Sequence, residues 1–205
     1  MTQSAIRGVA FLKAALAALL YAAALAARAE EIEVRNPQLF AVEEGLSLNA
    51  DFAFDFAPRL AEMVANGVPL YFVVEFELTR PRWWWFDEKA AAKRIQLRLS
   101  YHVLSRHYRL STGLLQQQFA TLEEALNVLR RLRSWQVVDR PLPLADANYE
   151  AAVRMRLDTT QLPKPFQLSA LTSRELNLES PWKRFVFRPT PTPPETREPK
   201  EGDTK

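Results

Sequence analysis

The sequence contains no cysteine and only five glycines among its 205 residues. The absence of cysteine excludes disulfide cross-links, thiolate metal sites and thiol chemistry. A chain of this size does not need disulfides, because ~150 residues bury about 70% of their unfolded surface on folding. The shortage of glycine argues against phosphate-binding loops. Neither a P-loop, nor a paired-glycine nucleotide fingerprint, nor a G-x-S-x-G serine motif is present.

Groups suited to metal binding or acid–base catalysis are also few. The two histidines, His102 and His107, lie five residues apart at a predicted strand–turn–strand junction. No third ligand lies nearby in sequence, so we predict neither a metal site nor a cofactor. Asp158 is a candidate catalytic carboxylate, but an aspartate at the end of a strand more often turns the chain by binding backbone amides. The sequence favours a protein that is not an enzyme, although carboxylates from distant positions can still assemble a catalytic site.

The first 29 residues have the three parts of a secretory signal. Arg7 and Lys13 form a basic region, and an apolar run follows at residues 14–27. This run is shorter than the ~20 residues that a helix needs to cross a bilayer. Small residues precede a predicted cleavage site between Ala29 and Glu30. We expect a cleaved signal peptide and a periplasmic protein without a stable membrane anchor. The alternative is an uncleaved amino-terminal anchor to the inner membrane.

Removal of the signal changes the charge of the chain. Residues 1–29 contain three basic side chains and no acidic one, so the 27 basic residues fall to 24 and equal the 24 acidic ones. The basic isoelectric point is therefore no evidence for nucleic-acid binding. The remaining charge is uneven: residues 30–77 have 2 basic and 10 acidic side chains, and residues 78–157 have 14 and 7. Either these parts face each other across paired strands, or a basic face meets an acidic partner or an anionic membrane.

The carboxyl-terminal residues 188–205 are proline, threonine and charge, without apolar periodicity. A segment of this composition does not bury enough apolar surface to become ordered. We predict a disordered tail at 188–205 and one folded domain at 30–187.

Alternation of apolar and polar residues is the clearest pattern in this domain. It predicts half-buried strands of antiparallel sheets, and it pairs the two longest strands in a hairpin with the turn near residues 80–92. The fold class we predict is mainly β, a two-layer antiparallel sandwich with an immunoglobulin-like or transthyretin-like arrangement. The predicted strands lie at 31–36, 46–56, 70–79, 94–103, 107–112, 114–119 and 149–157.

Helices are fewer. Thr121 followed by Glu124 is a capping box, and an apolar stripe continues to Leu132, so we predict one amphipathic helix over residues 121–133. The arginines at 130, 131 and 133 suit the negative carboxyl end of its dipole. Shorter helices are predicted at 57–67 and within 163–176, and a helical turn in the alanine-rich segment 88–93.

The stretch "RPRWWWFDEK" is the main candidate for a binding site. If the chain stays extended there, aromatic rings face both sides of the sheet. The rings are either part of the core or an exposed patch, and exposed aromatic patches mark interaction sites. Arginine beside tryptophan suits a glycan, a lipid headgroup or a partner peptide. The candidate binding residues are Arg80, Arg82, Trp83, Trp84 and Trp85.

Four segments together resemble the exported bacterial family known as domain of unknown function 4390, whose members are sometimes labelled proline-rich signal peptide proteins. They are "GVPLYFVVEFELTRPRWWWFDEK", "LRLSYHVLSRHYRL", "FATLEEALNVLRRLRSW" and "YEAAVRMRLDTTQLPKPFQL". The resemblance implies export to the periplasm of a Gram-negative bacterium and, through a neighbouring sensor-kinase gene, a link to envelope sensing. It supplies no activity and no catalytic residue.

These observations lead to three hypotheses. The first is a non-enzymatic periplasmic protein that binds a protein or another envelope component. The second is a carrier of a small molecule or lipid, held by aromatic residues between the sheets. The third is an uncharacterised enzyme with a site assembled from distant residues. Only the carrier requires an apolar cavity of about 300 Å³ or more.

Overall fold

The computed structural model of the protein describes residues 31–43, 45–81, 88–139, 148–170 and 173–188. Within these ranges the chain forms nine β-strands, three α-helices and two short 3-10 turns. In chain order they are β1 (Glu33–Val42), β2 (Gly45–Ala53), α1 (Pro58–Ala65), β3 (Leu70–Arg80), β4 (Glu88–His102), β5 (His107–Thr112), β6 (Leu115–Phe119), α2 (Leu122–Leu129), β7 (Arg131–Val138), β8 (Tyr149–Leu157), a 3-10 turn (Thr159–Gln161), α3 (Lys164–Ala170), a second 3-10 turn (Arg174–Leu176) and β9 (Lys183–Phe187).

The strands form two antiparallel sheets, which confirms the predicted mainly β class. One sheet has three strands in the order β1-β2-β7, and the other has six in the order β6-β5-β4-β3-β8-β9. The predicted pairing of the two longest strands is confirmed as well. Leu70 of β3 lies opposite Leu99 of β4, and Glu75 lies opposite Arg94.

One apolar core lies between the sheets. On β3 the even-numbered residues from Leu70 to Leu78 are all buried in it, as the alternation predicts. The ring of Phe76 meets Trp135 of β7 edge-on, with centroids 6.5 Å apart, and so joins one sheet to the other. The ring of Phe54 stacks on Phe72 at 6.0 Å. These contacts fix the six-stranded sheet against the three-stranded one.

The amphipathic helix is shorter than predicted. The capping box is present, because Thr121 Oγ1 accepts a hydrogen bond from Glu124 N–H at 3.2 Å and the Glu124 carboxylate accepts from Thr121 N–H at 3.3 Å. The helix ends at Leu129, however, and the predicted extension to residue 133 is wrong. The chain turns at Arg130 and continues as strand β7, which pairs with β2. The two arginines at 131 and 133 therefore belong to a strand, and the helix dipole does not explain them.

Two other expectations need correction. The alanine-rich residues 88–93 are not helical but form the start of β4, because their backbone pairs with the end of β3. Strand β9 was not expected at all, and it pairs with β8 at the edge of the six-stranded sheet. The predicted helix at 57–67 is confirmed as α1, which begins with Pro58 and ends before Gly67, at φ 82°. A helix within 163–176 is confirmed as α3.

Ion pairs across paired strands account for much of the uneven charge distribution. Five of them join an acidic residue of 30–77 to a basic residue of 78–157. They are Asp51–Arg133, Glu75–Arg94, Glu75–Arg154, Glu75–Arg156 and Glu77–Lys89.

Glu75 is the centre of the largest of these clusters. Its side chain is 12% exposed on the outer face of the six-stranded sheet. Arg154 donates a hydrogen bond from Nε to Glu75 Oε2 at 2.6 Å, and its guanidinium lies 4.6 Å from the ring centroid of Trp182. Arg94 and Arg156 lie 3.7 and 3.6 Å from Glu75 Oε1. One carboxylate thus holds three arginines of two neighbouring strands.

The predicted signal peptide at 1–29, the cleavage site between Ala29 and Glu30 and the tail from residue 189 onward lie outside the described residues. Within the ranges given above, no helix is both long enough and apolar enough to cross a membrane.

The capping box provides a test of where α2 begins. We expect Thr121→Ala to lower the free energy of unfolding by about 1 kcal/mol, because the N–H of Glu124 loses its acceptor. Thr121→Ser retains the hydroxyl and should stay close to the wild type. Urea unfolding followed by circular dichroism measures both. Equal destabilisation by serine and alanine would show that the hydroxyl does not cap the helix.

The Glu75 cluster provides a second test. Glu75→Gln should lower the free energy of unfolding by about 2 kcal/mol, because a charged hydrogen bond in a largely buried position is lost. The control is Arg94→Gln, since Arg94 is 75% exposed and should contribute less than about 0.5 kcal/mol. Chemical denaturation of the two variants compares them. A smaller effect for Glu75→Gln than for Arg94→Gln is incompatible with Glu75 as the centre of the cluster.

Candidate functional site

An apolar groove lies between the two sheets and is open to solvent. Strands β4, β5 and β6 form one wall, and α2 with β7 forms the other. Its volume is about 680 Å³. We call it the intersheet groove. The apolar side chains that line it are Ile95, Leu97, Leu110, Leu115, Val128, Leu129, Leu132 and Trp135.

The groove exists because the two sheets differ in width. Three strands pack against six, so the inner face of β5 and β6 extends beyond the edge of the smaller sheet. Helix α2 contacts β5, β6 and β7 and covers part of this face. It leaves Leu115 at the open side of the groove, where this apolar side chain is 74% exposed. Apolar side chains at the edge of a core thereby stay accessible to a ligand.

A β-bulge in β7 aims two large side chains at the core and the groove. Leu132 and Trp135 are both buried although they are three residues apart, whereas a regular strand would place them on opposite faces. Ser134 has a left-handed backbone (φ 50°), and its N–H donates to the Asn49 side chain at 2.8 Å. The pairing with β2 shifts at this point. The extra residue turns Trp135 to the same side as Leu132.

Charged side chains surround the groove. Lys93 of β4 donates to both carboxylate oxygens of Asp139, at 2.8 and 2.9 Å, and this pair joins the two sheets beside the groove. Arg133 donates to Ala50 O at 3.0 Å and pairs with Asp51. The Arg131 side chain is exposed and makes neither an ion pair nor a hydrogen bond with any residue of the described ranges. Arg131 is therefore the cation at the groove that a ligand can engage.

A second groove, of about 960 Å³, is lined by several charged side chains, of which Glu33, Arg35 and Arg130 are paired. Arg35 donates to Glu33 Oε2 at 2.6 and 2.9 Å, and this hydrogen bond lowers the pKa of Glu33 and raises the pKa of Arg35. Arg130 donates to Glu123 at 2.9 Å and to Phe54 O at 3.2 Å. A carboxylate with a lowered pKa stays ionised near neutral pH and is a poor general acid. The arrangement is that of a charged surface rather than of a catalytic pair.

The binding residues predicted from the sequence are only partly described. Arg80 is the last residue of β3, half-buried and opposite Glu88 in the strand register. Arg82, Trp83, Trp84 and Trp85 lie outside the described residues. The tryptophan run consequently stays a prediction, with no contact on which to judge it.

The other candidate residues have structural roles. His102 and His107 lie at a strand–turn–strand junction, as predicted, and face each other across the β4–β5 pair, where His102 Nδ1 accepts from Ser105 N–H at 3.2 Å. Asp158 accepts from Thr160 N–H at 3.3 Å and from its hydroxyl at 2.7 Å, so it turns the chain after β8, as expected. No three histidine or carboxylate side chains cluster as metal ligands within the part of the chain that the structure describes.

Sequence reasoning did not identify the intersheet groove. Alternation correctly marks Leu97 and Leu99 as an inner face, but it does not show that the opposite sheet is too narrow to cover that face. The β7 wall was also assigned to a helix. One signal was available: Trp135, Val137 and Val138 are residue types that favour strands.

Comparison with known proteins gives a family and no activity. A search of the curated proteins and a search of the solved structures each found no match. The model of one family, described as a domain of unknown function (DUF4390), matches residues 29–186. Since the match covers more than half of the chain, the protein belongs to the DUF4390 family.

Proposed function

We propose that this protein is an exported, non-catalytic binding protein for an anionic amphiphile of the cell envelope. The apolar part of the ligand lies in the intersheet groove, and its charged head meets Arg131. The observation that carries the proposal is a large apolar groove beside an arginine that has no described partner.

The size and lining of the groove support an acyl chain. Its volume of about 680 Å³ falls within the range of about 300–1,000 Å³ that is typical of small-molecule sites. Its apolar lining is aliphatic apart from Trp135, and the other lining residues are polar or charged. Each methylene of a chain that leaves water for such a site contributes about 0.8 kcal/mol.

The charge at the groove supports an anionic head. An arginine guanidinium binds a carboxylate or phosphate through two parallel hydrogen bonds. Arg131 precedes Leu132 on the wall of the groove. When the anionic head group of the ligand binds Arg131, its acyl chain therefore lies beside the apolar lining. Lys93 and Arg133 already have carboxylate partners. Among the described residues that line the groove, Arg131 is thus the cation without a carboxylate partner.

Three parts of the proposal rest on the sequence and on family resemblance. They are export through residues 1–29 with cleavage between Ala29 and Glu30, the link to envelope sensing, and the immunoglobulin-like or transthyretin-like arrangement of the two sheets. A separate protein-binding role for Arg80 and the tryptophan run also stays a prediction. Crosslinking from position 83 or 85 in cells tests that role.

The apolar part of the site is tested by a charge at its open side. The assay measures how much laurate is needed to displace the fluorescent probe 1-anilinonaphthalene-8-sulfonate. Leu115→Glu should raise this concentration at least about tenfold, because burial of a carboxylate against the acyl chain is unfavourable. The matched control is Leu114→Glu, since Leu114 is fully exposed and does not line the groove. Thermal unfolding confirms that both variants fold. Equal laurate affinity for the two variants would exclude the groove as the binding site.

The head group is tested by comparing two ligands of equal chain length. Arg131→Gln should weaken laurate binding about tenfold, the effect of a charged hydrogen bond of about 1.5 kcal/mol. Dodecanol lacks the carboxylate, so its affinity should stay nearly constant. Isothermal titration calorimetry measures both ligands. If the two affinities fall by the same factor, Arg131 does not recognise the charge.

A further inference from the structure

A long stretch of the chain has no acidic residue. Between Glu88 and Glu123 there are 34 residues with six lysines and arginines, both histidines of the chain and neither aspartate nor glutamate. In the fold this stretch is the rest of β4 followed by β5 and β6, which are three adjacent strands of the six-stranded sheet. Beyond Glu88, these three adjacent strands therefore carry no acidic side chain.

The outer face of these strands is cationic near the β4–β5 turn. Arg98 lies opposite Ser111, and Arg109 lies opposite Ser100, so the two arginines are diagonal neighbours on one face. His102 and His107 form the next pair toward the turn on the same face. The remaining outward positions, on β6, are glutamines. The register brings like charges together without an intervening carboxylate.

The two arginines lack anionic partners in the described part of the chain. The guanidinium of Arg98 lies 5.8 Å from the ring centroid of Tyr71 and makes no ion pair there. Arg109 Nε is buried and has no hydrogen-bond acceptor. Both contrast with Arg94, Arg154 and Arg156 on the same sheet, which share Glu75. Unpaired neighbouring guanidiniums are a site for an external anion.

Carboxylates on the adjoining elements do not compensate this charge. On α2, which packs against β5, Glu123 pairs with Arg130, and Glu124 caps the helix. Asp158, which follows β8, lies 3.7 Å from Arg156. On β3, which pairs with β4, Glu75 is held by arginines and Glu77 pairs with Lys89. Glu62 lies on the exposed side of α1, which also packs against β4.

The turn that joins β4 to β5 presents apolar side chains to solvent. Val103 is 63% exposed and Leu104 is 91% exposed, and both lie at the end of the hairpin. Arg106 follows in the same turn with a left-handed backbone (φ 52°). Glycine adopts this conformation without strain, whereas arginine does not. The turn thus combines two protruding apolar side chains with a cation.

We propose that the β4–β5 hairpin docks on an anionic phospholipid bilayer. Leu104 and Val103 enter the interface, and Arg98, Arg106 and Arg109 bind lipid phosphates. This inference goes beyond the proposed function and rests on the outer face and the hairpin turn, not on the intersheet groove. Exposed apolar side chains at the end of a hairpin can enter the interface of a bilayer, whereas an acidic protein partner requires no protruding leucine.

Vesicle co-sedimentation tests the docking. The sample is the full protein as it is isolated from cells. The probes are mixed phosphatidylethanolamine–phosphatidylglycerol vesicles and phosphatidylcholine vesicles. We expect binding to the anionic vesicles at least about tenfold stronger than to the neutral ones, and weaker as salt rises, because salt screens the arginines. Equal binding to the two kinds of vesicle, or binding to neither, overturns the proposal.

Two matched substitutions separate this surface from the rest of the chain. Leu104→Ser should reduce binding to anionic vesicles at least about fivefold, whereas Leu114→Ser should leave it unchanged. Leu114 is also fully exposed, but it lies in the β5–β6 turn at the other end of β5. Equal effects of the two serines contradict insertion of the β4–β5 turn. Laurate affinity should be the same in both, so failure of the docking and failure of the groove are distinguishable.

A double variant tests the arginines of the outer face. Arg98→Gln combined with Arg109→Gln should reduce the preference for anionic vesicles and flatten the salt dependence. Thermal unfolding verifies the fold. Unchanged salt dependence in this double variant would show that these arginines do not contact the lipid.

Discussion

The inner face of the six-stranded sheet is wider than the three-stranded sheet that packs on it, and the structure depends on how the remainder of that face is covered. Apolar side chains on β5 and β6 have no opposing strand, because β7 is the last strand of the smaller sheet. Helix α2 packs there and removes part of the apolar surface from water. The uncovered remainder is the intersheet groove, so fold and candidate site have one geometric cause.

Because of the bulge at Ser134, β7 contributes side chains to both the core and the groove. Without the extra residue, Leu132 and Trp135 would face opposite sides of a narrow edge strand. With it, Trp135 reaches Phe76 of the other sheet while Leu132 remains on the groove wall. The left-handed serine is stabilised by Asn49, which accepts the N–H that the shifted ladder leaves unpaired.

This same bulge explains why sequence reasoning succeeded for β3 and β4 and failed for β7. A period of two identifies the long strands because each keeps one face in the core, and opposite charges on their outer faces favour their pairing. In β7 the bulge spaces two buried residues three apart, which continues the helical spacing from Leu126 and Leu129. Local pattern alone cannot separate these cases. To predict the groove, one must know how many strands each sheet contains, and this number is a property of the whole fold.

Because side chains alternate along a strand, β4 and β5 have two faces with different contacts. Leu97 and Leu110 line the groove, whereas Arg98 and Arg109 lie on the outer face of the same two strands. Since consecutive side chains lie on opposite faces, each face can change without altering the other's contacts. A groove for an amphiphile and a cationic face for phosphates then share one rigid scaffold. If the β4–β5 hairpin docks on a bilayer as proposed, it holds the wall of the groove at a fixed distance from the membrane surface.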